Sequence, residues 1–77
     1  MVMFRDFTNR KARRLGIIGT VHNRADGSVE VVAQGERVAL QKLIDHLKKG
    51  SLLSRVERVV VEWRKPTKAF TSFDIVF

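Results

Sequence analysis

The chain has 77 residues, 44% hydrophobic and 30% charged, with 15 Lys and Arg against 8 Asp and Glu and a formal net charge of +7. A chain this short holds one domain, taken as residues 1–77, with a core small enough that every element must contribute to it. The absence of cysteine removes disulfides, thiolate nucleophiles and Cys-based metal sites, and suits a reducing, cytoplasmic compartment.

No apolar run approaches the roughly 20 residues of a membrane span. Arg5 and Asp6 interrupt the apolar stretch at the N-terminus, so no signal-peptide pattern is expected and no membrane partner. The basic balance selects for anions without choosing among nucleic acid, phosphorylated metabolites and acidic surfaces.

From Phe4 to Leu15 the apolar residues Phe4, Phe7, Ala12 and Leu15 recur at helical steps. Arg10, Lys11, Arg13 and Arg14 fill the gaps, which predicts an amphipathic helix with a solvated basic face. Gly16 stands where such a helix turns left-handed to stop. Ile17–Asn23 then reads as a strand, "RADG" as a turn and "SVEVVAQG" as its partner strand.

Glu36–Lys49 is a second helix, with Val38, Leu40, Leu43, Ile44 and Leu47 as its buried stripe and Gly50 at its end. "SLLS" is a connector. "RVERVVVEWR" has the β-branched density of a long strand centred on Val59, Val60 and Val61, broken by Pro66. "AFTSFDIVF" supplies a last strand through Phe73, Ile75 and Phe77. The order α-β-β-α-β-β predicts an α+β domain, an antiparallel sheet with both helices on one face. It matches the split β-α-β plan without the strand that would precede the first helix.

Three stretches together resemble the acylphosphatase family. "VMFRDFTNRKARRLGIIG" is similar to that family's phosphate loop, following helix and glycine exit. Gly19, Val21, Asn23, Gly27, Val29 and Gly35 in "GTVHNRADGSVEVVAQG" occupy the positions of its second signature. "SRVERVVVEW" through "FTSFDIV" resembles its last two strands. The resemblance implies a ferredoxin-like fold and hydrolysis of the carboxyl–phosphate bond of acyl phosphates, with inorganic phosphate as product or inhibitor.

It also implies that Arg5 is the phosphate-binding arginine and Asn23 the residue that positions the attacking water. Val2, Met3 and Phe4 would add backbone N–H groups to the phosphate cradle, although Phe4 is equally a core anchor. A guanidinium offers a planar fork matched to two phosphate oxygens, and an amide can accept from water while donating to phosphate. Phosphoryl transfer rests on positioning and charge, so neither metal nor cofactor is expected.

The chain departs from the family pattern in three ways. The first strand and part of the phosphate loop have no counterpart, Met1 falls at a loop glycine, and Thr20 replaces an aromatic residue. The expectation is therefore an N-terminally truncated member, a gap filled by a strand-completing second chain, or a rearranged fold. A non-catalytic anion-binding, nucleic-acid-binding or strand-accepting module is the alternative function. Nucleic acid is disfavoured as a partner, because Trp63 is the only aromatic on the expected central strand. His22 and His46 form no metal constellation, and Trp63 and the phenylalanines are expected in the core.

Overall fold

The computed structural model describes residues 2–50, 58–63, 65–66 and 68–77. The elements in chain order are α1 (Val2–Arg14), β1 (Ile18–Asn23), β2 (Val29–Gln34), α2 (Arg37–Lys49) and β3 (Phe73–Ile75). The sheet order is β2-β1-β3. β1 pairs antiparallel with β2 and parallel with β3, so the sheet is mixed where the sequence suggested antiparallel pairing throughout. No helix among the described residues is long and apolar enough to cross a membrane.

α1 stops as its glycine predicts. Gly16 adopts φ 72°, its N–H donates to the Arg13 carbonyl, and the Ile17 N–H reaches back to the Ala12 carbonyl at 2.9 Å. This is the Schellman closure, and its two apolar members, Ala12 and Ile17, are both buried. The chain then turns back under the helix as β1. Phe4, Ala12, Ile17, Val21, Leu43, Leu47 and Phe73 form the core, with both helices contributing from one side of the sheet. Thr8 is fully buried among them, and its hydroxyl donates to the Phe4 carbonyl at 2.9 Å.

Gly19 fixes the centre of the sheet. Its φ of 144° lies where side chains are strained, and a Cβ there would run into the carbonyl oxygen of Val32 on β2. At the other end of the hairpin, the Asp26 carboxylate accepts from the Ser28 hydroxyl at 2.6 Å and the Ser28 N–H at 2.9 Å. These bonds, the hydroxyl's foremost, hold the Asp26 carboxyl below the usual carboxylate range.

Three sequence expectations need correction. Residues 58–63 form no strand, and Val60 is 74% and Trp63 50% exposed. β-Branched density shows that a segment fits a sheet, but a strand also needs a partner edge; the segment faces β2 across an open groove. Trp63 is not in the core but lies under the Arg37 guanidinium, 4.6 Å from ring centroid to Cζ. Val38 is 67% exposed, so the buried stripe of α2 is centred on Leu43 and Leu47. The "SLLS" connector, Arg55–Glu57, Arg64 and Met1 lie outside the described residues.

Two stability outcomes follow. Gly19→Ala should cost about 2–3 kcal/mol or more, a strained backbone plus a displaced β2, read by urea denaturation. Because the Asp26 pKa is lowered in the folded state, its contribution is present above the ordinary carboxylate range and fades as acid protonates it. In Asp26→Asn that increment of acid sensitivity should vanish, read as a flatter dependence of the denaturation midpoint on pH below about 5.

Candidate active site

The site forms where the start of α1 meets the end of β1. The 13-residue helix is about 20 Å long by its rise per residue. The six-residue strand runs back a similar ~20 Å after the short connection Leu15–Ile17. Arg5 and Asn23, eighteen positions apart in the sequence, therefore lie at the same end of the fold.

Arg5, Asn9 and Arg13 are spaced four apart and share one face of α1. Asn9 Nδ2 and Arg13 Nε both donate to the Phe73 carbonyl, at 3.2 and 3.0 Å. Arg13 also pairs with Asp74 at 3.5 Å, and with its side chain 60% exposed it serves this anchor while remaining on the solvated basic face. The stripe runs along β3 toward the C-terminal residues.

At its far end, the Arg5 guanidinium sits over the Phe77 ring, 4.4 Å from its centroid. The register pairs Val21 with Ile75, and the Val76 N–H donates to the Val21 carbonyl. Continuing that register brings Phe77 level with Asn23. Phe77, expected as a buried strand residue, is 95% exposed and serves as the platform under Arg5.

Arg5 Nε and Asn23 Oδ1 are the buried side-chain polar atoms without a hydrogen-bond partner among the described residues. A buried unpartnered donor or acceptor costs about 1–3 kcal/mol. Here one donor and one acceptor share the same end of the fold, which suits a ligand offering both functions. Val2, Met3 and Phe4 form the first turn of α1, where the sequence suggested a loop. Their N–H groups still lack intrahelical partners and lie at the same end. The Phe4 side chain is buried in the core.

Sequence reasoning missed Phe77, because an alternating aromatic at the end of a strand pattern looks like core. The Arg5–Asn9–Arg13 spacing was a readable signal, hidden by the basic run around it.

The acylphosphatase family model matches residues 1–75. The chain is 45% identical over 74 residues to an acylphosphatase of Salinibacter ruber, covering 96% of this chain and 78% of that relative. It is 46% identical over 74 residues to an acylphosphatase of Methanococcoides burtonii, covering 96% of this chain and 77% of that one. The crystal structure of acylphosphatase from Bacillus subtilis superposes with a TM-score of 0.92 at 36% identity, covering 99% of this chain and 84% of the other.

The Phe77 platform gives a separate expectation. Phe77→Ala removes a cation–π contact of about 0.5–1 kcal/mol at an exposed site. The free energy of unfolding in urea should fall by no more than that, with the far-UV spectrum unchanged.

Proposed function

The chain belongs to the acylphosphatase family, and on that premise we propose that residues 1–77 form one catalytic domain in which Arg5 and Asn23 carry the reaction. The activity is hydrolysis of acyl phosphates. A water oxygen bonds to phosphorus, the bond from phosphorus to the acyl oxygen breaks, and a carboxylate and inorganic phosphate leave.

The observation that carries the residue assignment is the pair of unpartnered buried atoms, Arg5 Nε and Asn23 Oδ1. Arg5 Nε–H donates to a phosphate oxygen, and the fixed guanidinium charge stabilises the charge that spreads over the phosphoryl oxygens. The first-turn N–H groups of Val2, Met3 and Phe4 donate to the same group, where the helix dipole also favours an anion. Asn23 Oδ1 accepts from the attacking water and holds its oxygen toward phosphorus. The water's proton passes to a phosphate oxygen, so no side-chain base is assigned.

Phe77 enters as a positioning group, since it fixes the plane in which the Arg5 fork lies. The reading assigns no metal and no cofactor. It takes inorganic phosphate as a competitive product inhibitor and the cytoplasm as the place of action.

Benzoyl phosphate hydrolysis with a chelator present tests the assignment. Arg5→Ala and Asn23→Ala should each lower kcat by about 10²–10³-fold, the usual loss for one well-placed transition-state group. Arg5→Lys should recover little, because a point charge does not replace a planar fork. A wild-type rate that survives both substitutions would assign the chemistry to other residues.

A further inference from the structure

Asn23 is held differently from Arg5. Arg5 lies on the stripe that Asn9 and Arg13 fasten to the Phe73 carbonyl. Asn23 is the last residue of β1, and its Oδ1 is buried with no hydrogen-bond partner among the described residues. No contact at that oxygen sets its direction. The direction therefore follows from the two peptide units that flank Asn23.

The residues on either side of Asn23 are tied together on the other face of the sheet. Val21 is fully buried in the core beneath the helices. Alternation turns His22 to the opposite face and Asn23 back to the helix side. His22 lies directly across from Glu30 on β2. The Glu30 carboxylate spans position 23, with Oε1 3.6 Å from His22 Nε2 and Oε2 accepting from Arg24 Nη2.

The two contacts differ in kind. Arg24 makes a charge-assisted hydrogen bond, whereas the His22 contact is beyond hydrogen-bond length, so Arg24 carries the restraint. The Arg24 backbone is fixed as well. Its N–H donates to the Ser28 carbonyl at 2.7 Å, and its carbonyl accepts from the Gly27 N–H at 3.1 Å. Each of these groups belongs to the β1–β2 hairpin, so the arrangement is complete within residues 22–30.

We infer that Glu30 is a positioning residue for the hydrolysis. Bonded to Arg24 and facing His22, it restrains the peptide units on both sides of Asn23 from the face opposite the helices. The Asn23 amide oxygen is thereby kept toward the attacking water. This inference rests on the assignment of Asn23 to that water. Glu30 acts through the strand end and not by touching substrate.

Hydrolysis of benzoyl phosphate by the whole chain tests it, with Glu30→Gln, Arg24→Gln and Asn23→Ala made singly and Glu30→Gln also combined with Asn23→Ala. Glu30→Gln keeps the size of the side chain and removes its charge. It should lower kcat about two- to fivefold, the most that an exposed ion pair supplies, with KM unchanged because Arg5 still binds phosphate. Arg24→Gln should give the same loss, and Arg24→Lys should restore most of it, since a cation still reaches the carboxylate. In the Asn23→Ala background Glu30→Gln should lower kcat no further, because the restraint then has no amide to aim.

An unchanged kcat in Glu30→Gln, beside a large loss in Asn23→Ala, would overturn the inference alone. Equal losses from Glu30→Gln in both backgrounds would do the same, in favour of a purely structural ion pair. A rate that survives Asn23→Ala would overturn the assignment of Asn23 and the inference with it.

Discussion

The Phe73 carbonyl oxygen fixes how the helix lies on the sheet. Asn9 and Arg13 both donate to it, while the Phe73 ring is packed into the core at 1% exposure. One residue thus anchors α1 through its backbone and the core through its side chain. Because Arg5 lies on the same stripe as Asn9 and Arg13, this anchor also fixes which way Arg5 projects. Two turns of helix carry the constraint from a structural contact to the proposed site. A charged side chain with few partners of its own is aimed by polar contacts further along its helix.

The same anchor makes the two edges of the sheet unequal. Parallel pairing with β1 leaves the Phe73 carbonyl on the outer edge of β3, where the α1 side chains cover it. Among the described residues no backbone bond from outside the hairpin reaches Val29, Val31 and Ala33 on β2. β1 itself is bonded on both sides and has no slack, and Gly19 lets its backbone lie against the Val32 carbonyl.

Where one element's pattern was self-sufficient, the sequence was legible. α1, β1, β2 and α2 lie within a few residues of their expected bounds, because helical periodicity, Gly16 and the Asp26-Gly27 turn are local signals. The strand expected over residues 58–63 was misread for the opposite reason. Its valines satisfy the intrinsic preference, but a strand forms only against a partner, and periodicity says nothing about that. β3 came out shorter than its pattern, at Phe73–Ile75, for the same reason. Trp63 and Phe77 were misplaced because aromatic residues were read as apolar bulk, when each lies under a guanidinium. The two residues proposed for catalysis were visible only through the spacing of several signature positions together, since a lone arginine or asparagine carries no such meaning.

Thr8 shows why the unpartnered atoms of Arg5 and Asn23 are informative. It is buried on the same helix one turn after Arg5, and its hydroxyl finds the Phe4 carbonyl. The packing around the start of α1 is therefore able to satisfy a buried polar group. At Arg5 the same helix buries Nε beside an aromatic face that can hold the charge but accepts no conventional hydrogen bond. The fold orients that donor without satisfying it, and β1 ends on an acceptor, Asn23 Oδ1, in the same condition. In a chain whose local signals otherwise agree, unsatisfied groups concentrated at one end mark the place where stability yields to chemistry. In the proposed reading a phosphate oxygen takes the donor and a water takes the acceptor, the two contacts that hydrolysis of an acyl phosphate calls for at one place.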